Sequence, residues 1–96
     1  MYWNVRFTNK AAKQARQLDA ELFFVLQLLA EDLKMKGPIP GKFWHNYGKL
    51  SSKNNQDIRH CHLAKGHPTY VCCWKVFKIE KVVEVYYVGT HEKAPY

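Results

Sequence analysis

The chain has 96 residues, of which 47% are hydrophobic and 24% charged. This length supports one compact domain with a buried core and is too short for two, and no apolar run approaches the roughly 20 residues that cross a bilayer. The net charge of +7 is uneven, because residues 1–35 carry five Lys/Arg against four Asp/Glu whereas residues 36–96 carry ten against four. A one-sided positive field attracts polyanions, so we expect a nucleic acid or an acidic protein as partner.

The N-terminus and the cysteines indicate the compartment. The first residues lack the basic-then-apolar order of a signal peptide. The three cysteines, Cys61, Cys72 and Cys73, are odd in number and include an adjacent pair, which makes a poor disulfide framework. We therefore expect a cytoplasmic protein with no membrane segment and with reduced, packed thiols.

The first third of the chain predicts one strand followed by two helices. Residues 2–8 alternate apolar and polar side chains, which is the period of a half-buried strand. Thr8 can then cap a helix, and alanine and leucine recur at three- and four-residue spacing as far as Gly37. Because Asp19 can cap a second helix, we favour two helices with a break at residues 18–20 over a single long one.

The rest of the chain predicts four β-strands. The prolines of residues 37–41 end helix formation. The candidate strands, which are separated by polar or glycine-containing turns, are Phe43–Leu50, Asp57–Ala64, Tyr70–Phe77 and Val82–Val88. The order β-α-α-β-β-β-β predicts a single α+β domain over residues 1–96, with both helices on one face of a mainly antiparallel sheet. Function is expected on the other face.

The predicted third strand carries two histidines on one side. Alternation places His60 and His62 together, roughly 6 to 7 Å apart, which is close enough to act on one phosphate group. Arg59 and Cys61 face the other way, so a structural ion pair is favoured for Arg59. A zinc site is disfavoured by this geometry and by the lack of Cys-x-x-Cys or His-Glu-x-x-His spacing. We expect neither a metal nor a cofactor.

The last predicted strand leads into Gly89-Thr90-His91. Strict alternation places Tyr86 and Val88 on one face and Tyr87 on the other, and residues 92–96 read as a tail. Imidazole both takes and gives a proton near neutral pH. A strand end that delivers His91 to the rim of the sheet, near other histidines, therefore indicates acid-base chemistry on an anion.

The chain resembles the RelE/ParE toxin superfamily, closest to its YafQ-like mRNA interferase branch. The resemblance rests on the order of elements and on three motifs: Ile58-Arg59-His60-Cys61-His62-Leu63, Trp74-Lys75-Val76 within an apolar strand, and Val88-Gly89-Thr90-His91. It implies a ribosome-dependent mRNA endonuclease that cleaves by 2′-hydroxyl attack without a metal. It also implies a type II toxin-antitoxin system, with the cognate antitoxin, the ribosome and mRNA as partners.

The same resemblance implies the roles of individual residues. His62 matches the catalytic strand histidine of the YafQ-like branch, and His91 matches the histidine of its Gly-Thr-His motif. His60 and His62 together occupy positions where RelE carries basic active-site lysines, and Tyr96 resembles the C-terminal aromatic, one residue out of register. The branch's aspartate and its β2 histidine have no counterpart in register here, which leaves His45 and His67 as possible substitutes. The candidate RNA- and phosphate-binding residues are Lys49, Lys53, Lys65 and Lys93.

These residues supply what RNA cleavage requires. The hypothesis makes His62 and His91 the acid-base pair, makes His60 with a nearby Lys or Arg the phosphate stabiliser, and stacks Tyr96 on a base. Two alternatives remain open: a ParE-like toxin that binds DNA gyrase without nuclease residues, and a non-catalytic nucleic-acid-binding module. The histidines favour the nuclease over both.

Overall fold

The computed structural model describes residues 2–52, 54–64, 66 and 68–96. Its elements, in chain order, are β1 (Asn4–Phe7), α1 (Asn9–Arg16), α2 (Ala20–Lys36), β2 (His45–Leu50), β3 (Asp57–Ala64), β4 (Tyr70–Phe77), β5 (Val82–Thr90) and a final 3-10 turn, His91–Lys93. This order and the α+β class are as predicted. None of the helices in these residues is long and apolar enough to cross a membrane.

The five strands form one sheet in the order β1-β5-β4-β3-β2. The edge strand β1 runs parallel to β5, and the other pairs are antiparallel. Both helices pack on the same face of the sheet, which we call the helix face. Its buried core joins residues of both helices to residues of the central strands, among them Ala11, Leu29, Leu33, Cys61, Trp74 and Val83. The opposite face, which we call the open face, carries the histidines.

Side-chain caps explain why the helical segment divides in two. The Thr8 hydroxyl accepts a hydrogen bond from the Ala11 amide at the start of α1. The Asp19 carboxylate accepts one from the Leu22 amide at the start of α2. Each cap satisfies an amide that has no partner within its helix, so the break predicted at residues 18–20 is confirmed.

Three strands differ from the prediction in their limits, since β5 continues to Thr90 instead of ending at Val88. Strand β1 is shorter, at Asn4–Phe7, and β2 begins at His45 instead of Phe43. The later start of β2 follows from Trp44, whose amide donates to the Gly41 carbonyl in a turn. Its indole nitrogen donates to Asp32 of α2 at 2.8 Å. These two bonds hold Trp44 against the helix and keep it out of the strand ladder.

The prediction of strict alternation along β5 is wrong. Cys73 pairs with Tyr87 and Trp74 pairs with Val85, so Tyr86 is an extra residue in a β-bulge. Tyr86 and Tyr87 both pack against Cys73 on the open face, whereas Val88 joins the core on the helix face. The bulge shifts every later side chain of β5 by one position relative to a regular strand.

Candidate active site

Register across the sheet places the histidines in two adjacent rows on the open face. In one row His45, His62, Val71 and Gly89 pair in turn on β2, β3, β4 and β5. In the next row Gly48, His60, Cys73 and Tyr87 do the same. Residues that pair across antiparallel strands project to the same side. His60 and His62 therefore lie side by side above β4, as predicted.

The C-terminal residues return over these rows and do not form a free tail. The His91 amide donates to the Thr69 carbonyl at 2.8 Å, and the Ala94 amide donates back to the His91 carbonyl at 3.2 Å. This turn reverses the chain and brings Tyr96 to 5.1 Å from His60, measured between ring centroids. The prediction of a tail is wrong because residues 91–93 form a 3-10 turn.

Four rings form a closed circuit on the open face. The distances between ring centroids are 6.3 Å from His60 to His62, 5.7 Å from His62 to His91, 5.8 Å from His91 to Tyr96 and 5.1 Å from Tyr96 back to His60. His60 and His62 are half-buried, and His91 and Tyr96 are exposed. Three imidazoles and a phenol thus surround one point that a ligand can reach from solvent. We call these four residues the ring cluster.

Two histidines of the ring cluster contact polar groups of β2. The Nδ1 atom of His60 lies 3.2 Å from the Gly48 carbonyl oxygen, so this nitrogen carries the proton and donates it. The Nδ2 atom of Asn46 lies 3.3 Å from both ring nitrogens of His62. Asn46 has a φ of 54° and sits where the β2–β3 register shifts. The bond to Gly48 orients the His60 imidazole and fixes which of its nitrogens carries the proton.

Beneath the cluster lie Cys73 and Tyr86. Burial raises the pKa of the Cys73 thiol to about 12, while a hydrogen bond with Tyr86 opposes that rise. Burial also raises the pKa of the Tyr86 hydroxyl, and the neighbouring Cys73 adds to the effect. Both groups are therefore neutral at physiological pH. A neutral, buried thiol is a poor nucleophile, so we assign Cys73 a packing role beneath the ring cluster.

All three cysteines have free thiols and are buried, as the sequence predicted. Desolvation raises the pKa of Cys61 to about 12 and raises the pKa of Cys72 well above its ordinary value. Within the described part of the chain, no group of three or more His, Cys, Asp or Glu side chains is arranged to hold a metal ion.

The other candidate residues lie at varying positions around the cluster. His45 is exposed and pairs with His62 across β2 and β3, so it is the further histidine that the described structure brings to the site. Lys93 follows His91 in the terminal turn. Lys49 pairs with Arg59 and so projects toward the helix face, away from the cluster. The predictions for Lys53, Lys65 and His67 lie outside the described residues.

Sequence reasoning missed three residues near the cluster. Asn46 could have been suspected, since asparagine is enriched at positive φ. Lys75 follows from alternation, because it pairs with Ile58 on the open face and its ammonium lies 5.5 Å from the centre of the Tyr86 ring. Tyr86 follows from the same alternation, because it lies two residues after Glu84, which pairs with Lys75.

Comparison with known proteins supports the fold. No family model and no curated sequence matches the chain. A chain of the archaeal RelE-RelB complex from Pyrococcus horikoshii superposes with a TM-score of 0.78 at 17% identity, covering 98% of this chain and 100% of its own. The isolated E. coli RelE toxin gives a TM-score of 0.65 at 19% identity, with 97% and 88% covered.

A third solved structure, a metal-bound toxin from Helicobacter pylori, gives a TM-score of 0.65 at 17% identity and covers 95% of this chain and 97% of its own. In all three cases the likeness extends over nearly the whole of this chain. The chain therefore has the RelE fold, as its motifs predicted.

Proposed function

We propose that this protein is the toxin of a type II toxin-antitoxin system and that it cleaves mRNA on the ribosome, as the YafQ-like branch does. The observation that carries the proposal is the closed ring cluster of His60, His62, His91 and Tyr96. Three titratable imidazoles around one accessible point are what acid-base cleavage of a phosphodiester needs. A module that only binds nucleic acid has no need of such a set.

His62 and His91 are the acid-base pair. One neutral imidazole removes the proton from the RNA 2′-hydroxyl, whose oxygen then attacks the adjacent phosphorus. The other, protonated, gives its proton to the 5′-oxygen as the phosphorus–oxygen bond breaks. The products are a 2′,3′-cyclic phosphate and a 5′-hydroxyl end. The ring centroids lie 5.7 Å apart, which allows the two imidazoles to contact the attacking and leaving oxygens of one phosphate.

His60 and Tyr96 complete the site. Because Nδ1 of His60 is held by the Gly48 carbonyl, its Nε2 edge is available to the phosphate and donates to it when the ring is protonated. Lys75 lies one row along the open face and adds positive charge there. The Tyr96 ring, exposed beside His60 and His91, offers a stacking surface for a base.

The solved structures of similar fold also suggest the partners. Among them are a RelE-RelB complex and the intact E. coli RelBE toxin-antitoxin complex. We infer that a cognate antitoxin, with an acidic segment matched to the +7 charge of this chain, covers the ring cluster in the cytoplasm until it is removed. The toxin then acts on mRNA in the ribosome.

The test is to add the protein to translating ribosomes and to map new mRNA 5′ ends. We expect cleavage that leaves 5′-hydroxyl ends. His62→Gln and His91→Gln keep a polar side chain but cannot exchange protons near neutral pH. Each should slow cleavage by about 10² to 10⁴, the contribution of one positioned acid or base.

Lys13→Ala is the control, because Lys13 is exposed on α1, on the helix face. This variant should cleave mRNA at the normal rate. Translation that stops without new mRNA ends, or cleavage that survives both histidine substitutions, contradicts the proposal. Intact mRNA together with a DNA-damage response in cells would instead support gyrase as the target.

A further inference from the structure

The glycine of Gly89-Thr90-His91 is required for space and not for an unusual backbone angle. Its φ lies outside the left-handed region that favours glycine, in contrast to Gly37, Gly41 and Gly66. A Cβ atom on Gly89 would lie 2.7 Å from the Tyr87 hydroxyl oxygen and 3.0 Å from the ring carbon that bears it. The Tyr87 ring therefore lies across Gly89, and any larger residue would displace it.

Because the Tyr87 ring lies across Gly89, its hydroxyl reaches the peptide bond between Thr90 and His91. The hydroxyl donates to the Thr90 carbonyl oxygen at 2.7 Å, and the His91 amide donates to the Thr69 carbonyl oxygen at 2.8 Å. The Thr90 carbonyl and the His91 amide belong to one peptide unit, which is planar. Hydrogen bonds at the two opposite edges of this peptide unit fix its orientation. The orientation of the unit in turn sets the direction in which the His91 side chain leaves the backbone.

The Tyr87 ring is itself held firmly. Tyr87 is only 7% exposed and packs with Val71 and Cys73 of β4, the cross-strand partners of His62 and His60. Burial raises the pKa of the Tyr87 hydroxyl, so it remains a proton donor through the physiological range. The ring links a rigid part of the sheet to the more exposed turn at His91.

We propose that Tyr87 is a positioning residue that holds His91 in the ring cluster, and that Tyr87-x-Gly89-Thr90-His91 is the functional motif. The inference rests on the proposed function for its effect on catalysis, but the hydrogen bond acts on His91 whether or not RNA is cleaved. Removing the Tyr87 hydroxyl leaves the Thr90 carbonyl without this hydrogen bond, so the peptide unit before His91 is held at one edge only. The His91 ring then samples positions away from His62 and Tyr96, while the rest of the sheet stays folded.

The variant Tyr87→Phe tests this, since it keeps the packed ring and removes only the hydroxyl. In the isolated protein, we expect the His91 ring resonances to move and broaden in NMR spectra while those of His45 do not. In the ribosome assay, we expect kcat to fall about ten-fold with KM unchanged, because misplacing a catalytic group by a fraction of an ångström to 1 Å costs up to about 10²-fold.

Tyr47→Phe is the matched control. Its hydroxyl also takes part in a partly buried hydrogen bond, which it accepts from Arg59 on the helix face. It should lower the melting temperature without moving the His91 resonances or changing kcat. An unchanged His91 spectrum in Tyr87→Phe overturns the positioning role. Moved resonances in a protein that cleaves no RNA would retain that role and refute the nuclease instead.

A double-mutant cycle tests the role of Gly89 independently. Gly89→Ala should shift the His91 resonances in the parent protein, because the added methyl meets the Tyr87 hydroxyl. It should shift them much less in a Tyr87→Ala background, where the obstructing ring is absent. Additive shifts in the two backgrounds would show that the two residues act separately and would overturn the proposed motif.

Discussion

Arg59 illustrates how a residue's position on a strand decides its role. Its side chain is 8% exposed, and its guanidinium forms two bonds to the Asp57 carboxylate and one to the Tyr47 hydroxyl. These contacts account for a buried charge that would otherwise be costly. The helix-face location follows from alternation along β3, so the predicted structural ion pair is confirmed. Arg59 therefore points away from the ring cluster, although it directly precedes His60 in the chain.

The Asp57–Arg59 pair has a predictable pH dependence. The hydrogen bond from Arg59 lowers the pKa of Asp57 below its usual value of 3.8, in spite of its desolvation. A group whose folded pKa is depressed contributes stability above its unfolded pKa and loses it as the pH falls through the folded pKa. Asp57→Asn should therefore cost about 3 kcal/mol at neutral pH, and the difference from the parent should shrink below about pH 4.

Urea unfolding at pH 7 and at pH 3 measures this difference. The control is Glu84→Gln, which breaks an exposed pair with Arg6 whose side chain is 53% exposed. It should cost at most about 1 kcal/mol. An Asp57→Asn penalty that is equal at both pH values would show that the carboxylate charge is not what stabilises the fold.

At the scale of elements, the end of α2 is joined to the beginning of the sheet. Gly37 ends the helix with a φ of 87° and donates its amide to the Leu33 carbonyl. The Trp3 amide donates to the Lys34 carbonyl at 2.9 Å, so the residue before β1 is bound to the last turn of α2. A Cβ on Gly37 would lie 2.8 Å from the Trp3 indole nitrogen. The glycine is needed both for its backbone angle and for this contact.

Gly37→Ala should destabilise the protein through both effects. The backbone angles of Gly37, φ 87° and ψ −161°, lie in a region that is essentially restricted to glycine and cost another residue roughly 1 to 3 kcal/mol. The displaced indole adds a further loss of about 1 kcal/mol or more from overpacking. Thermal unfolding compares it with Gly41→Ala, whose φ is 114° but whose Cβ would meet only the flexible end of Lys36. Equal losses in the two variants would exclude a contribution from the Trp3 contact.

At the scale of the whole molecule, charge and shape act together. Residues 36–96 carry most of the excess positive charge and build four of the five strands. The helices cover one face of the sheet and leave the ring cluster accessible from the open face, where we propose that RNA binds. Such a surface binds a polyanion largely by releasing its counterions, which makes the affinity dependent on salt.

We therefore expect the affinity for a single-stranded RNA to fall steeply between about 50 and about 200 mM salt. Fluorescence anisotropy in the His91→Gln background measures it without cleavage. Lys93→Gln, next to the cluster, should reduce the slope of log affinity against log salt by about 0.7, the value for one phosphate contact on a single strand.

Lys34→Gln removes the same charge from the last turn of α2, where the ammonium lies over the Tyr2 ring. Its slope should equal that of the parent. If the two substitutions lower the slope equally, net charge and not a defined path past Lys93 would account for binding.

The sequence alone determined the features that depend on neighbouring residues. The order of elements, the caps at Thr8 and Asp19, and the shared face of His60 and His62 all follow from local periodicity and local hydrogen bonds. The RelE-like motifs added the expectation of the fold, which the structure confirms. The YafQ-like roles of the histidines remain a prediction.

Only the tertiary structure decided how the site closes. The bulge that places Tyr86 and Tyr87 on one face depends on the pairing of β5 with β4. This pairing cannot be inferred from the residue pattern of β5 alone. The return of Tyr96 to His60 depends on a bond between His91 and Thr69, more than 20 residues earlier in the chain. Register and chain reversal are set by contacts distant in sequence, and for this reason they are absent from its periodicity.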